Sequence, residues 1–391
     1  MITVIADDIT GAAEIAGVCL RYGLKVAFGI DSVPTESADV IIISTDSRSN
    51  TEIEAFNTHL KLATEIFDDS DSIVFKKCDS ALRGFVLTEL SAMLQVSKFR
   101  NILLQPANPV TGRRIQGGIY TIDNEPIEYS GFATDPDFPA DNSQVQNLLL
   151  QRSTNHENIT EIHTGKITQL KEIGLSVPDC TSVADLQNCC KLLNDNTLLC
   201  GSAAFFEQIL IFTKTGIPKG TQTQFNVKSN FLMICGSTHP QSQQYLEELS
   251  LSGLPVYGFP DSLLQENTRQ ESIALWIQEL ITSWEKHRKL ILYVSFEKVL
   301  FPDSSKILKS RMDQIVSGIL SNCEINELLI EGGATAYGIL NLINWKTLNP
   351  VQELAPGVLR MQVASTPSVH LTIKPGSYLW PENLIVMGDL I

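Results

Sequence analysis

Charged side chains follow four strand-like apolar segments in the first third of the chain. These side chains are Asp8, Arg48, Lys77, Asp79, Arg83 and Arg113. A carboxylate can accept a proton, hold a metal or bind a hydroxyl, and ammonium and guanidinium groups bind carboxylates and phosphates. Open α/β sheets bind ligands at the carboxyl ends of their strands. We therefore expect the six side chains to form one anion-binding rim if their strands share a sheet.

The pair Asp7-Asp8 ends the apolar segment 2–6 and precedes a helical pattern. Two interpretations are open from this motif alone: the carboxylates serve a ligand, or they only cap a helix, with Thr10 as the N-cap. A third interpretation is a phosphatase that forms a phosphoenzyme on Asp7 or Asp8. That chemistry is associated with the spacing Asp-x-Asp-x-Thr. Here Ile9 lies two positions after Asp7, and Thr10 lies two positions after Asp8. The spacing is off by one residue, so we disfavour this interpretation.

The segment 76–84 carries two lysines, an acid, a hydroxyl and an arginine between a strand and a helix. Cations beside backbone amides at a helix N-terminus form a site for a carboxylate or a phosphate. Arg83 is the cation that we expect to bind a substrate carboxylate, because a guanidinium can donate two parallel hydrogen bonds to it. The alternatives are a solvated basic turn, or an Arg83 that only pairs with Asp79 to hold the loop.

Glycine-rich turns follow two strands in the second half of the chain. Gly236-Ser237 follows one strand, and Gly332-Gly333-Ala334-Thr335 follows the other. Such turns can present backbone amides to a phosphate without a lysine. The sequence has no Walker A motif and no Gly-x-Gly-x-x-Gly motif, which removes the simplest nucleotide-binding patterns. Its histidines lack metal-binding spacing, so zinc is not expected, and the ligands of any metal are unknown.

Short apolar strands alternate with helical patterns along most of the chain, which is typical of mainly parallel sheets covered on both faces. Predicted strands lie at 2–6, 25–30, 40–44, 73–77, 102–105, 231–235, 290–295 and 327–331, and predicted helices at 11–22, 52–67, 86–96, 201–212, 241–251, 271–287, 304–321 and 335–342. The stretch 111–147 lacks periodicity and is expected to be a binding loop. The polar stretch 215–228 predicts a boundary between an N-terminal domain, 1–214, and a C-terminal domain, 229–391.

Composition narrows the class of protein further. The chain has 391 residues, 43% of them hydrophobic, and a formal net charge of -15. The apolar content excludes a wholly disordered chain, and the negative charge disfavours a general nucleic-acid binder. Apolar runs are far shorter than the roughly 20 residues of a membrane span, and eight cysteines are too few for a disulfide scaffold. We therefore expect a cytoplasmic protein with reduced thiols and no membrane or nucleic-acid partner.

Taken together and in this order, the motifs resemble the four-carbon acid sugar kinase family. The segments that carry the resemblance are Asp7 to Ala12, Lys76 to Gly84, Pro106 to Arg113, Gly236-Ser237 and Gly332 to Thr335, with Phe132 to Pro136, Cys200 to Ala203 and Leu371 to Gly376 extending it. The resemblance implies a kinase of threonate, erythronate or 3-oxo-tetronate that uses ATP and Mg²⁺. It also implies two α/β domains with the active site in the cleft between them.

The resemblance further implies roles for individual residues. Those that would contact the acid sugar are Asp8, Arg48, Asp79, Ser80, Ala81, Leu82 and Arg83, with Asp8 as general base or as the group that orients the attacking hydroxyl. Those that would contact ATP are Ser237, Gly332, Gly333, Ala334, Thr335 and Gly376. The family usually has Thr at position 81 and Glu at position 334. Because this chain has Ala81 and Ala334, a non-catalytic sugar-acid or nucleotide sensor stays an alternative, and a homodimer is left open.

Overall fold

The computed structural model of the chain describes residues 1–67, 73–135, 137–219, 225, 227, 230–237, 239–263, 265, 268–294, 304–381 and 384–385. The chain divides into two compact units, Met1–Lys219 and Gly220–Ile391. Much of the predicted boundary at 215–228 lies outside the described residues, and the domain limits 1–214 and 229–391 stay a prediction. Within the described ranges, no helix is long and apolar enough to cross a membrane.

The N-terminal unit contains eleven strands and six helices among its described residues. The strands are β1 (Ile2–Ala6), β2 (Val26–Ile30), β3 (Val40–Ser44), β4 (Ile73–Lys77), β5 (Asn101–Gln105), β6 (Arg113–Gln116), β7 (Ile119–Ile122), β8 (Glu125–Pro126), β9 (Ile162–Gly165), β10 (Gly174–Pro178) and β11 (Thr197–Gly201). The helices are α1 (Ile9–Arg21), α2 (Glu52–Phe67), α3 (Val86–Val96), α4 (Val145–Gln151), α5 (Val183–Cys190) and α6 (Ala203–Phe212). Eight strands form a parallel sheet in the order β2-β3-β1-β4-β11-β5-β10-β9.

The register of this sheet brings the ends of its central strands to one level. Ala6 of β1 lies opposite Ser44 of β3 and Lys77 of β4. Gly201 of β11 lies opposite both Lys77 and Gln105 of β5. Nearly every residue of these strands is buried, as expected for apolar strands covered on both faces. The segments that follow β1, β3, β4 and β5 therefore all leave the sheet at its carboxyl edge.

Two local expectations for this unit were wrong. Helix α1 begins at Ile9 and its N-cap is Asp8, not Thr10, because an Asp8 oxygen accepts the amide of Gly11. The stretch 111–147 is not irregular throughout, since β6, β7 and β8 form a small antiparallel sheet inside it. Short 3₁₀ turns at Ile127–Tyr129 and Gly131–Thr134 follow. Short strands joined by glycine turns leave too little periodicity to be recognised in a sequence.

The C-terminal unit repeats the α/β rhythm. Its strands are β12 (Phe231–Cys235), β13 (Val256–Gly258), β14 (Lys289–Tyr293), β15 (Glu327–Glu331), β16 (Thr347–Ala355), β17 (Val358–Val363) and β18 (His370–Lys374), and its helices are α7 (Pro240–Leu251), α8 (Gln270–His287), α9 (Ser304–Asn322) and α10 (Gly333–Leu342). The strand order is β13-β14-β12-β15-β18-β17-β16. Pairing is parallel as far as β18 and antiparallel from there on.

Four strands of this unit, β13, β16, β17 and β18, were not predicted from the sequence. Elsewhere the predicted elements agree with the structure to within about two residues at each end, the usual uncertainty of helix and strand limits; residue 295, the predicted end of β14, lies outside the described residues. The prediction of two α/β domains with mainly parallel sheets is confirmed. The location of the active site in a cleft between the domains stays a prediction.

Candidate functional site

The carboxyl edge of the N-terminal sheet holds a chain of ion pairs. Arg48 lies in the 3₁₀ turn Ser47–Ser49 that follows β3. It donates to Asp8 Oδ2 at 2.6 Å and to Asp79 Oδ1 at 3.2 Å. Arg83 in turn donates to both oxygens of Asp79. The structure thus brings together four of the six side chains that were expected to form the rim, and it does so through alternating charges.

Asp8 is both the N-cap of α1 and a partner of Arg48. Its Oδ1 accepts the amide of Gly11 at 2.9 Å, and its Oδ2 accepts the Thr10 hydroxyl as well as Arg48. Burial raises the pKa of Asp8, but Arg48, Lys77 and these hydrogen bonds outweigh burial and hold the pKa below its usual value. A carboxylate whose charged form is stabilised in this way is a weak proton acceptor. The arrangement therefore suits orientation of a hydroxyl better than removal of its proton.

The Arg83 side chain contacts two carboxylates and an aromatic ring. Its Nε and Nη2 donate to Asp79 Oδ2 and Oδ1, both at 3.0 Å, and its Nη1 donates to Asp135 Oδ2 at 3.2 Å. Its guanidinium also lies 5.3 Å from the centre of the Phe132 ring. Burial raises the pKa of Asp79, but Arg83 and Arg48 together lower it well below its usual value. The pairing of Arg83 with Asp79, one of the alternatives left open by the sequence, is present.

Ala81 and Leu82 shape the loop that carries Arg83. The amide of Ala81 donates to Asp79 Oδ2 at 3.0 Å, and the amide of Leu82 donates to the Asp79 carbonyl at 2.9 Å. Both of their carbonyls accept from Arg152 Nη1, and both side chains are buried. The backbone groups of Ala81 and Leu82 thus bond within the protein, and their expected contact with an acid sugar stays a prediction.

Arg113 reaches the same loop from β6. Its Nη1 donates to Ser80 Oγ, and its guanidinium lies 5.7 Å from the centre of the Phe132 ring. The Tyr120 hydroxyl donates to the Ser80 carbonyl, which fixes the backbone of the loop on the same side. The Arg113 side chain thus joins the rim through Ser80, although β5, which precedes it, is separated from β4 by β11.

Lys77 completes the predicted set, but its side chain is buried. Its Nζ donates to the Cys78 carbonyl at 3.0 Å and lies 3.8 Å from Glu14 Oε2. A β-carbon at Gly11 would lie 2.8 Å from this Nζ, so the glycine allows the ammonium to sit against the first turn of α1. The positive charge of Lys77 stabilises the charged form of Asp8 and so lowers its pKa.

Two further residues at this edge were missed as site residues. Asp135 holds Arg83, and Arg152 donates to the carbonyls of the 79–84 loop and to those of Phe138 and Pro139. Asp135 lies within the segment 132–136 that carries part of the family resemblance, so that motif could have pointed to it. Arg152 had no such signal, because it lies about 70 residues from the loop that it supports.

In the C-terminal unit, the turn between β15 and α10 opens a helix N-terminus. Gly332 has a φ of 102°, a conformation that favours glycine. Helix α10 begins at Gly333, and no side chain of the described residues caps it. The amides of Gly333, Ala334 and Thr335 belong to the first turn of the helix, where N–H groups lack intrahelical acceptors and the helix dipole attracts anions.

Two other turns meet this one. Gly236 follows β12, and a β-carbon there would clash with Thr335 Oγ1. Ser237 Oγ donates to the Gly376 carbonyl at 3.3 Å, and a β-carbon at Gly376 would lie 2.7 Å from that Oγ. All the predicted nucleotide-binding residues thus lie on three adjacent turns at the carboxyl edge of this sheet. The next residue after Ser237, Thr238, lies outside the described residues.

A buried cluster behind these turns was not predicted. Glu331, the last residue of β15, accepts from Trp380 Nε1 at 2.8 Å and lies 3.3 Å from Lys374 Nζ. The same ammonium donates to the Tyr378 carbonyl at 2.5 Å. Burial lowers the pKa of Lys374 despite its contact with Glu331. The cluster ties the turn that contains Gly376 to the end of β15, and so it fixes the position of the turn.

The residues present fit a nucleotide. The uncapped start of α10, with glycines at the points of close backbone approach, suits a phosphate group. Among the residues that the structure describes, no group of three or more His, Cys, Asp or Glu side chains could hold a metal ion.

Comparison with known proteins assigns a domain to each half of the chain. Residues 2–209 match the model of a sugar-binding N-terminal domain, and residues 232–378 match that of a nucleotide-binding C-terminal domain. The rim lies within the first matched range and the glycine turns lie within the second.

Curated relatives extend the match. A 3-oxo-tetronate kinase of Haemophilus influenzae is 23% identical over 97% of each chain, and a D-threonate kinase of Salmonella typhimurium is 21% identical over 90% of this chain and 89% of its own. A D-erythronate kinase of Heliobacterium modesticaldum is 31% identical over 39% of this chain and 36% of its own.

A solved structure shows the same fold. A Salmonella typhimurium protein aligns with a TM-score of 0.79 at 18% identity, covering 100% of this chain and 98% of its own. With both family models matched in order and two of these curated relatives aligned along at least 90% of its length, the chain belongs to the four-carbon acid sugar kinase family.

Proposed function

We propose that this protein is an ATP-dependent kinase that phosphorylates a hydroxyl of a four-carbon sugar acid such as threonate, erythronate or 3-oxo-tetronate. The observation that carries the proposal is the rim of the N-terminal unit, where the guanidinium groups of Arg83 and Arg113 lie beside the same loop and Arg48 joins that loop to Asp8. A sugar acid has a carboxylate and several hydroxyls, and this rim offers donors for the first and acceptors for the second. The names of the curated relatives support the substrate class.

Arg113 and Arg83 are the proposed ligands of the carboxylate. An arginine has five N–H donors, and Arg83 already uses three of them on Asp79 and Asp135. The Arg113 side chain makes a single hydrogen bond to the described residues, to Ser80, so more of its guanidinium donors are open to a ligand. Asp8, oriented by Arg48, is the proposed partner of a substrate hydroxyl.

The first turn of α10 is the proposed site of the ATP phosphates. The amides of Gly333, Ala334 and Thr335 would donate to them, and Ser237 and Gly376 would border the same turn. ATP supplies the phosphoryl group, and Mg²⁺ would offset the charge of its phosphates. Phosphoryl transfer needs alignment and positive charge more than covalent help from the protein.

The test is ATP turnover with a panel of acids, followed as ADP release. The panel contains D- and L-threonate, D-erythronate and 3-oxo-tetronate, and the matched controls are threitol and erythritol, which have the same length and no carboxylate. We expect kcat/KM for one acid to exceed that for the polyols by about 100-fold or more, because a site built around a carboxylate leaves its guanidinium groups unpaired with a neutral ligand. Failure of every acid to support ADP release contradicts the proposal.

A non-catalytic sensor of the same ligands is the second candidate. It is favoured by Ala81 and Ala334, which stand where the family usually has threonine and glutamate. Calorimetry separates the two functions, since a sensor binds the acid and the nucleotide but releases no ADP when both are present. For either function we propose a cytoplasmic location.

A further inference from the structure

Asp7 is a buried carboxylate whose two oxygens have no hydrogen-bond partner among the described residues. Its neighbours at the same edge differ, since Asp8 accepts from Gly11, Thr10 and Arg48, and Asp79 is paired with Arg83. Only 1% of Asp7 is exposed. A buried acceptor without a donor destabilises the protein, because its lost hydration is not replaced. The hydroxyl of a bound ligand would supply the hydrogen-bond donor that Asp7 lacks.

Charged groups surround Asp7 without hydrogen bonding to it. They are Arg48 from the turn after β3, Lys76 and Lys77 from β4, Asp8 from its own segment and Glu89 from α3. Arg48 Nη1 lies 4.0 Å from Asp7 Oδ2. Burial, the largest influence, raises the pKa of Asp7 to about 6, against the opposing effect of Lys76 and Arg48. Asp7 can therefore both hold and release a proton near neutral pH, which Asp8 cannot.

Lys76 is prevented from pairing with Asp7 by a second buried acid. Its Nζ lies 2.9 Å from Glu89 Oε2 and donates to the Lys77 carbonyl at 3.0 Å. Glu89 is itself held by Ser47 Oγ at 2.6 Å, and His59 Nε2 lies 3.9 Å from it. These contacts hold the Lys76 ammonium on Glu89. Its positive charge still acts on Asp7 over a distance, but its N–H groups do not donate to Asp7.

The loop after β4 has a glycine next to Asp7, with room for one carbon-sized group. Gly84 lies there with a φ of 92°, and a β-carbon on it would come to 3.7 Å from Asp7 Oδ2 and 3.5 Å from Arg48 Cγ. Arg48 thus lies next to both acids, since its guanidinium is 4.0 Å from Asp7 and donates a hydrogen bond to Asp8. A hydroxyl held by Asp8 and Arg48 would meet Asp7 as the next acceptor.

We propose that Asp7, rather than Asp8, accepts the proton of the substrate hydroxyl, while Asp8 and Arg48 orient that hydroxyl. This inference rests on the proposed kinase function. The hydroxyl proton moves to an Asp7 oxygen, and the hydroxyl oxygen uses the electron pair of its O–H bond to form a bond to the γ-phosphorus of ATP. The bond between that phosphorus and the bridging oxygen breaks, and its electron pair stays on ADP. The proton then passes from Asp7 to solvent.

The experiment compares Asp7→Asn with its matched neighbour Asp8→Asn on the acid that the wild type turns over best. Asp7→Asn loses no hydrogen bond to the described residues and removes a buried charge, so we expect its melting temperature to equal or exceed that of the wild type and its calorimetric Kd for the acid to stay close to the wild-type value. Its kcat is expected to fall about 100-fold or more, the usual effect of losing a general base. The wild-type kcat/KM is expected to fall below a pH of about 6, and this acidic limb should be absent in Asp7→Asn and present in Asp8→Asn.

Three results would overturn the role of Asp7. They are a kcat of Asp7→Asn within about 3-fold of the wild type, an acidic limb that survives in Asp7→Asn, and a loss of kcat that appears only in Asp8→Asn. If Asp7→Asn fails to fold, Asp7→Glu is the test, because it keeps the carboxylate and should keep the acidic limb at a lower kcat; a lost limb in Asp7→Glu counts against the role. A wild type that turns over no acid overturns the proposed function itself, whereas an active wild type with an active Asp7→Asn overturns this inference alone.

Discussion

At the scale of single residues, two arginines near the Phe132 ring differ in how much the protein itself uses them. Arg83 donates to both oxygens of Asp79 and to Asp135, whereas Arg113 donates to Ser80 within the described part of the chain. Arg83 is therefore a loop-holding residue with donors to spare, and Arg113 is the more open of the two. Substitution by lysine keeps the charge and removes the fork, so it separates these roles.

Arg83→Lys is expected to lower stability more than Arg113→Lys, because it breaks the two-pronged contact with Asp79. Hydrogen bonds to charged groups are each worth about 1.5–3 kcal/mol. Arg113→Lys is expected to lower kcat/KM for the acid by about 10- to 150-fold, which is the same energy expressed as a rate. Urea unfolding and kinetics with the acid and its polyol check both variants. Equal loss toward acid and polyol in Arg113→Lys would show that this residue does not bind the carboxylate.

The raised pKa of Asp7 predicts how stability changes with pH. The unfolded acid loses its proton near pH 4, whereas folded Asp7 keeps it to about pH 6. Between these values the folded state binds the additional proton, so this group makes the wild type less stable as the pH rises. Two pKa units correspond to about 3 kcal/mol as an upper value. Asp7→Asn lacks the effect, and its stability relative to the wild type should rise between pH 4 and pH 7 in urea titrations.

Asp8 provides the control, because its pKa shift is opposite in direction to that of Asp7. Its pKa is lowered in the folded state, so its contribution to stability is present above the pKa of the unfolded acid and is lost as the pH falls. Asp8→Asn should therefore lose stability relative to the wild type as the pH rises from 3 to 5. If the stabilities of Asp7→Asn and Asp8→Asn relative to the wild type changed with pH in the same way, the opposite pKa shifts of the two acids would be contradicted.

At the scale of elements, the start of α10 is the feature on which the nucleotide proposal depends. Gly333→Val places a branched side chain at the first helical residue, beside the amides that would bind phosphate. We expect ATP affinity to fall by about 10-fold or more, the loss of at least one hydrogen bond to a charged group. The matched control is Gly338→Ala in the same helix, where a β-carbon meets only Lys309 Cε at 3.5 Å. Calorimetry with each ligand checks the pair, and loss of acid binding alone in Gly333→Val contradicts the assignment.

The 79–84 loop is the corresponding element of the N-terminal unit. Arg152 supports it through the carbonyls of Ala81 and Leu82 and joins it to those of Phe138 and Pro139. Arg152→Lys can satisfy only part of this set, so we expect a lower melting temperature and a higher KM for the acid at a kcat close to that of the wild type. An unchanged KM would mean that the geometry of the loop does not depend on Arg152.

At the scale of the whole molecule, the two matched domains predict two separate patterns of ligand protection. The acid should slow amide hydrogen exchange around Asp8 and in the loop 79–84, and a non-hydrolysable ATP analogue should slow it at Gly332–Thr335. A ligand stabilises the segments that it binds in proportion to its saturation. Exchange measured by mass spectrometry with each ligand alone checks the assignment, and protection of the opposite set by either ligand reverses it.

The sequence alone determined the fold class and the position of several charged residues at the ends of parallel strands. Continuous apolar segments such as Ile2–Ala6 and Val40–Ser44 are buried on both faces, and that burial favours parallel strands whatever their order in the sheet. Polar residues directly after such strands fall at the carboxyl edge because parallel strands run in one direction. The turn at Gly332 was likewise readable, since a strand, a glycine pair and a helix are contiguous in the chain.

Only the tertiary structure decided which of the neighbouring acids is paired and which is not. Asp7 and Asp8 are adjacent in sequence, yet Arg48 and the start of α1 satisfy Asp8 while Asp7 faces a lysine that Glu89 holds. Those partners come from other strands and helices, so no local pattern contains them. The same reason applies to Arg152, which lies about 70 residues from the loop that it supports. Hydrogen bonds and burial depend on which distant segments meet, and that is settled only when the chain packs.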